Sequence, residues 1–474
     1  IGVTGASGGG TQTFILCALD PRPALAFPAV MVSTAMQGGC TCENACGLRV
    51  GTGNVEFAAL FAPRPLGMTS ANDWTKEMAA KGFPELKQLY TMLGQPDHVM
   101  LKRGEHFGHN YNYVSRAAMY AWVNRHFRLG LPEPIVESDY RRLLRAEMSV
   151  WNQQHPKPDS GPDFERRLLR WLTEDATRQL HQAEASRETF RRLVGGGVDI
   201  VVGRNIDEVG TVAADLKSSV SGDRFNCETC LLRNPSHGEE IPALWLKPKQ
   251  PVKAALIWAD VRGKAGLFAP STAGSLQPRP EVQKLLSAGV SVLGADLLFQ
   301  GEFLADGKPV TQTRRVKNPR EAAAYTFGYN HALFAQRVHD LLTLIAHLKN
   351  LPAERIGLAG FGGAGPWVAA AVAQAHGTVQ CAAVDTAGFR FANVLDLQHV
   401  DFLPGGAKYG DLPGMLALAS PVQLWVAGER EESLTMARKQ YQTSGKPHNL
   451  VRWDGPPEAA GRVGTDWLID QLRH

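Results

Sequence analysis

The chain has 474 residues, 44% of them hydrophobic and 20% charged, with a formal net charge of +4 at pH 7. That apolar content supplies sizeable cores and excludes global disorder, while a small charge without a long Lys/Arg tract excludes nucleic-acid binding as the organising function. At about 150 residues per domain the length corresponds to two to four domains, or two large ones.

Seven cysteines are too few for a small disulfide scaffold, and the odd number leaves one unpaired within the chain. No uninterrupted run of about 18 apolar residues is present, so no membrane span is expected. The first residues, Ile1-Gly2-Val3-Thr4, read as a buried strand, so the chain is expected to begin after a cut or truncation.

That strand runs into Gly5-Ala6-Ser7-Gly8-Gly9 and then an apolar helical stretch. G-x-S-x-G between a strand and a helix is the pattern of a nucleophile elbow, in which a serine occupies a strained turn. Ser7 is therefore the candidate nucleophile, and the Gly8 N–H at the helix start is a candidate oxyanion donor. The second donor normally lies on a loop after an earlier strand, which this sequence does not contain. The glycines also resemble the turn of short-chain nucleotide-dependent reductases, but the third glycine would fall at Thr11 and no tyrosine–lysine pair is evident.

An apolar run at 27–35 leads to a loop containing Cys40, Cys42 and Cys46. With Cys227 and Cys230 elsewhere, these supply no four-ligand zinc set; isolated thiols or one local disulfide are expected, and no metal or organic cofactor. Glu43 and Asn44 in this loop are candidate substrate contacts. Residues 56–73 then end a strand at Asp73, where the acid of a Ser-acid-His order belongs. The simpler alternative is that Asp73 caps a helix starting near Trp74.

The loop after the next strand, HVMLKR at 98–103, offers His106 and His109. His109 is preferred as the base because Gly108 permits a tight loop and a helix begins soon after it. His106 and Trp74 are then supporting residues or substrate contacts, and Glu105 and Asp97 are weaker acid candidates. An ordinary hydrogen-bonding role for His109 stays open.

Residues 131–205 differ in character, with a proline-rich start and Arg-rich amphipathic segments. FERRLLRWLTEDATRQLHQAEA reads as a helix with Leu168, Leu169, Leu172 and Leu180 near one stripe, and residues 188–197 as a short helix stopped by glycines. Strands are expected at 225–234, 241–248, 254–260 and 290–298, a helix at Glu281–Ser287 and a long helix from about Ala322 to Leu348.

From residue 356 the first pattern recurs. IGLAGFGGAG at 356–365 matches IGVTGASGGG at 1–10; VQCAAVDTA at 379–387 matches FPAVMVSTA; Pro421 falls opposite Pro63, Glu431 opposite Asp73, and HNLVRW at 448–453 matches HVMLKR. Any two parallel α/β domains share some of this alternation, yet four features recur in one order. In the second copy Gly362 stands opposite Ser7 and Ala459 opposite His109, so it reads as non-catalytic. Its G-x-G-x-x-G at 360–365 with Asp385 downstream also satisfies a dinucleotide fingerprint, but several strands and a long helix precede it, against the order of such folds.

The expected fold class is α/β: tandem α/β-hydrolase domains, the first lacking its N-terminal half in this chain and the second a complete degenerate copy. Expected boundaries are 1–130 for the C-terminal half of a catalytic domain, 131–205 for a helical linker, and 206–474 for the second domain. A half-sheet exposes an unpaired edge, so a missing N-terminal segment or a partner chain is expected to supply strands.

GASGGGTQT around Ser7, GGCTCENA at 38–45, FAPRPLGMTSANDWTKEM at 61–78 and GHNYNYVSRAAMYAW at 108–122 resemble bacterial α/β-hydrolases of the acetyl xylan esterase and prolyl-oligopeptidase-like group. The tandem-domain hydrolases of planctomycete-type bacteria are especially similar. The resemblance implies a serine esterase acting on a carboxylic ester, with an acylated carbohydrate as substrate class and a periplasmic or secreted location; composition leaves the compartment unknown. It also implies that the histidine heading HNYN, His109, is catalytic. A serine peptidase with the same triad and a non-catalytic binding or scaffold protein are the alternatives.

Overall fold

The computed structural model describes residues 1–35, 43–158, 161–269, 277–314, 316, 323–351 and 354–473. They divide into two compact units, Ile1–Phe164 with Val316–Asn330, and Glu165–Arg315 with His331–His474.

In the first unit β1 (Gly2–Ala6), β2 (Leu25–Ala29), β3 (Leu66–Thr69) and β4 (Val99–Lys102) form a parallel sheet in the order β1-β2-β3-β4. Helices α1 (Gly8–Leu19), α2 (Asn54–Ala59) and α3 (Phe83–Met92) connect the strands, and α4 (Tyr113–Phe127) and the short α5 (Arg145–Met148) follow β4. β2 is buried at all five positions. Alternation sends Ala26 into one core with Phe14 of α1, Ala58 of α2 and Tyr90 of α3, and sends Leu25 and Phe27 into another with Trp122 of α4. A strand covered on both faces must be apolar throughout, which is why it reads as a continuous run. β1 differs from the expected buried strand: it is the edge of this sheet, its residues are exposed or half-buried, and Ile1 is 84% exposed.

The pairing register determines where the loops emerge. Ala6 lies opposite Ala29, Ala29 opposite Thr69 and Thr69 opposite Lys102. The carboxyl ends of all four strands are therefore level, and the segments after β1, β3 and β4 leave from one edge. In open parallel sheets that edge is where ligands bind.

The second unit begins with α6 (Phe164–Ala183), α7 (Arg187–Phe190), a π-turn at Arg191–Gly195 and α8 (Gly196–Val202). The Leu168, Leu169 and Leu172 stripe of α6 is exposed. The expected glycine stop near residue 197 is corrected: the helix continues through Gly195–Gly197 and ends at Gly203, whose φ is 79°. A Cβ on Gly197 would lie 2.4 Å from the Tyr409 ring, so that glycine serves a close packing contact instead of a cap.

Among the described residues nine strands follow: β5 (Ala213–Ser221), β6 (Phe225–Asn234), β7 (Glu239–Pro248), β8 (Ala254–Ala259), β9 (Ser291–Ala295), β10 (Arg355–Gly360), β11 (Cys381–Asp385), β12 (Gln423–Ala427) and β13 (Leu450–Arg452). Their order is β13-β12-β11-β10-β8-β9-β7-β6-β5, antiparallel in the β5-β6-β7-β9 pairings and parallel elsewhere. Polar, exposed β5 gave no alternating signal in the sequence.

The remaining helices are α9 (Pro280–Ser287), α10 (Ala323–Phe327, part of the first unit), α11 (Leu333–Lys349), α12 (Gly365–Gln374), α13 (Asp411–Leu418), α14 (Thr435–Thr443) and α15 (Ala460–Arg473). α9 and α15 cover Trp258 and Trp425, while α11 and α12 pack on β8, β10 and β11. The long helix expected from 322 is thus two helices broken at 328–332, of which the first belongs to the first unit and the second to the second.

β10 to β13 repeat the order and sense of β1 to β4. The correspondence extends to glycine contacts. A Cβ on Gly5 would meet Gly9 O at 2.4 Å, as one on Gly360 would meet Ala364 O at 2.9 Å; a Cβ on Gly10 would meet Ala29 O at 2.8 Å, and one on Gly365 would collide with Asp385 O.

Gly67 in β3 has no such freedom either, its absent Cβ lying 2.4 Å from the Phe27 ring and 3.0 Å from Trp122. Gly67→Ala is expected to destabilise the first unit by about 1–3 kcal/mol through overpacking. Gly9→Ala, facing open space, is expected to be neutral or slightly stabilising. Urea unfolding followed by tryptophan fluorescence compares the two.

Candidate active site

Ser7 separates β1 from α1 with φ 56° and ψ −128°, a conformation that L-residues adopt rarely and at a cost of order 1–3 kcal/mol. Its N–H donates to Ala29 O at 3.3 Å, and its carbonyl accepts from Gly10 and Thr11. The turn is thus held from both sides, and the glycines that it needs sterically are Gly5 and Gly10; Gly9, the last glycine of the sequence pattern, has open space around it. Gly8 N–H belongs to the first turn of α1, where amides lack intrahelical acceptors and the helix dipole favours negative charge.

Asp73 follows β3, and its two carboxylate oxygens have different partners. Oδ1 accepts from Thr75 N–H at 2.7 Å and from Thr75 Oγ1 at 2.5 Å, while Oδ2 lies 2.8 Å from His109 Nδ1. The Asp73 side chain is 5% exposed and that of His109 33%. A buried carboxylate bonded to Nδ1 directs the ring proton to that nitrogen and leaves Nε2 as the acceptor on the accessible side. No helix starts at Trp74, so capping is corrected to an Asx-type turn onto Thr75, which positions the carboxylate for His109.

The surroundings are built from neighbouring loops. The Trp74 ring lies 4.7 Å from the His109 ring, and Trp74 O accepts from Ser33 Oγ at 2.5 Å. Tyr111 ties the histidine loop to β1, its hydroxyl 2.8 Å from Thr4 Oγ1; burial pushes its pKa up. Asn112 caps α4 by accepting from Ser115 N–H. Among the described residues no hydrogen bond joins Ser7 Oγ to His109. Such bonds are commonly long in unliganded sites and tighten on substrate binding.

The other candidates are placed as follows. His106 is exposed and packs on Phe107 at 4.1 Å. Glu105 bonds Ser70 Oγ and Arg103; burial raises its pKa, but a backbone hydrogen bond and these two partners outweigh that and leave it lowered. Asp97 is exposed in a 3-10 turn at the start of β4, the opposite edge of the sheet, which removes it as an acid for this site. Glu43 is buried, and Asn44 is half-buried with its Oδ1 accepting from Arg49 Nη1 at 3.0 Å. Sequence reading missed Thr75, Ser33 and Arg49. Asp-x-Thr spacing was the signal for Thr75; nothing local marked the other two.

Cys17, Cys46, Cys227, Cys230 and Cys381 are free thiols, and Cys40 and Cys42 lie outside the described residues. Burial pushes the Cys17 thiol up to about 11 and Cys381 up to about 12. Among the described residues no group of three or more His, Cys, Asp or Glu is arranged to hold a metal, and no helix is long and apolar enough to cross a membrane.

In the second unit Gly362 takes the place of Ser7 with nearly the same φ, 58°. Glu431 is clamped by Arg438 Nε at 2.8 Å and Arg452 Nε at 3.1 Å, chiefly the former holding its pKa down. Ala459 ends a 3-10 turn before α15, and His448 lies at the start of β13, away from the carboxyl edge. The G-x-G-x-x-G glycines serve this same elbow, Gly365 admitting Asp385 O.

No known family profile matches the chain, and no curated protein matches it. Among solved structures it is similar to a provisionally assigned acetyl xylan esterase from Bacteroides fragilis (17% identity, 57% of this chain and 76% of that chain covered, TM-score 0.41). It is also similar to an acetyl xylan esterase from Paenibacillus sp. R4 (12%, 62% and 98%, TM-score 0.37) and a glucuronoyl esterase of carbohydrate esterase family 15 from Teredinibacter turnerae (15%, 56% and 79%, TM-score 0.34). At these values the similarity carries no argument about function.

A Cβ on Gly362 would meet nothing within 4 Å. Gly362→Ser is therefore expected to fold, at a strain cost of about 1 kcal/mol, and to gain no reactivity toward a serine-directed phosphonate, because no histidine stands opposite it. Mass-spectrometric localisation of the label checks this.

Proposed function

We propose that the first unit is a serine carboxylic-ester hydrolase with Ser7 as nucleophile, His109 as general base and Asp73 as the acid that orients it. The observation that carries this reading is the buried Asp73 Oδ2 at 2.8 Å from His109 Nδ1, together with a serine held at φ 56°, on segments that leave the same sheet edge. An ordinary cap or loop hydrogen bond explains one of these features; it does not explain their conjunction.

In the proposed reaction His109 Nε2 takes the Ser7 hydroxyl proton as Oγ attacks the ester carbonyl. Asp73 holds the Nδ1–H tautomer and stabilises the imidazolium, and Gly8 N–H stabilises the oxyanion. The tetrahedral intermediate expels the alcohol, which receives the proton from His109. Water, activated by the same nitrogen, then attacks the acyl-enzyme and releases the carboxylic acid, returning Ser7 and His109 to their initial state.

An acylated carbohydrate is the proposed substrate class, on the resemblance carried by residues 38–45, 61–78 and 108–122. The second unit is proposed to be a degenerate copy of the same architecture, supported by the repeated strand order and the matching elbow glycines. With Gly362, clamped Glu431 and Ala459 in the three positions it has no acyl-transfer machinery of its own.

The full chain treated with a fluorophosphonate is expected to carry the label on Ser7, and Ser7→Ala to abolish it; labelling elsewhere or undiminished labelling overturns the assignment. His109→Ala and Asp73→Asn are each expected to lower kcat on an aryl acetate by ~10^4-fold, while His106→Ala changes it by less than about tenfold. A larger loss for His106→Ala than for His109→Ala would move the base to His106.

A further inference from the structure

Residues 47–49, in the β2–α2 connection, are held by residues from far downstream. Gly47 N–H donates to Phe327 O at 2.7 Å, and Arg49 N–H to Gly328 O at 2.9 Å. The acceptors lie at the end of α10, in the segment that belongs to the first unit although the chain on both sides of it belongs to the second. Tyr325 and Phe327 are 8% and 6% exposed, so this segment is packed in place.

Arg49 is itself 2% exposed. Its Nε donates to Asn54 Oδ1 at 3.1 Å and its Nη1 to Asn44 Oδ1 at 3.0 Å, whereas Nη2 is buried without a hydrogen-bond partner among the described residues. Burial lowers its pKa, with Tyr329 and Glu43 opposing that effect. A guanidinium this buried is costly unless its surroundings hold it in one geometry.

From Arg49 the contacts run to both halves of the candidate site. Asn54, fully buried, donates from Nδ2 to Met31 O at 3.1 Å, and Met31 packs under α1, where a Cβ on Gly10 would lie 3.2 Å from its own Cβ. Two residues further, Ser33 bonds Trp74 O, and the Trp74 ring lies against His109. One side of this chain ends behind Ser7 and the other beside the base.

We propose that residues 323–330 are a positioning strap for the candidate active site, fixing the 43–54 segment and, through Arg49 and Asn54, the loop that supports the Ser7 helix and Trp74. The strap touches no reacting atom. A segment inserted between β9 and α11 would thereby make the first unit's site depend on the second half of the chain. The effect on rate rests on the Ser7–Asp73–His109 reading; the effect on order does not.

The test uses the full chain in three forms besides wild type: residues 323–330 replaced by Gly/Ser of equal length, Gly328→Ala, and Arg49→Lys. A Cβ at 328 would lie 2.5 Å from Ala324 O and displace the acceptor carbonyl, and lysine cannot bridge Asn44 and Asn54 as the arginine fork does. Peptide-resolved hydrogen exchange over 7–13 and 43–54 is read beside the rate of phosphonate labelling of Ser7.

The expected result is faster exchange in both peptides and labelling slowed by ~10- to 100-fold, with exchange in β8 unchanged. Unchanged exchange over 43–54, or faster exchange there with labelling at the wild-type rate, overturns the strap and leaves a packing contact. If the wild type takes no label on Ser7, the hydrolase reading fails separately. The strap then stands only if 7–13 and 43–54 lose protection together, and falls if the loss is confined to 43–54. Should the Gly/Ser replacement not fold, the two point variants decide by the same criteria.

Discussion

The close approach of a helix start to the end of the neighbouring strand governs the first unit. α1 can begin where it does because Gly10 lets its backbone settle against Ala29 O, and Gly5 leaves room for Gly9 O. With those contacts made, the residue between strand and helix must reverse the chain in a single step, and Ser7 is driven to a positive φ. The strain is sustained by the Ser7 N–H bond to Ala29 O and by a core in which Phe14 and Met31 are wholly buried. A serine held at positive φ at the sheet edge is a consequence of that packing.

The second unit carries related glycine packing at the end of β10. Gly360 and Gly365 make close contacts like those of Gly5 and Gly10, while Glu431 is clamped by two arginines and Ala459 ends a 3-10 turn before α15. Backbone geometry and catalytic side chains are separable because they answer to different constraints: the former to close packing with β11, the latter to a substrate. The elbow in the second unit therefore supports an architectural reading, and in the first a chemical one only because Asp73 and His109 are paired.

That pairing divides labour within one carboxylate. Oδ1 is consumed locally by Thr75, which fixes the side chain's direction, and Oδ2 is left for His109. A free carboxylate at the end of β3 would sample several rotamers; one tied two residues on presents a single oxygen to its partner. Such orienting bonds are what make a histidine's tautomer definite.

Much of the strand framework was legible from apolar runs and glycine turns, because covered parallel strands must be apolar and elbow turns must contain glycine at particular places. Ser7, Asp73 and His109 could be nominated from order and position alone. Polar β5 was invisible, since an exposed edge strand needs no pattern, and the glycines at 195–197 misled because Tyr409 packing against Gly197, not chain termination, accounts for that glycine. The sequence by itself determined the parallel α/β character, the elbow and the residues able to serve it. Only the tertiary structure decided that Asp73 bonds His109, that Arg49 is buried, and that residues 323–330 pack with the first unit. Those outcomes depend on contacts between residues tens to hundreds of positions apart, which no local periodicity encodes.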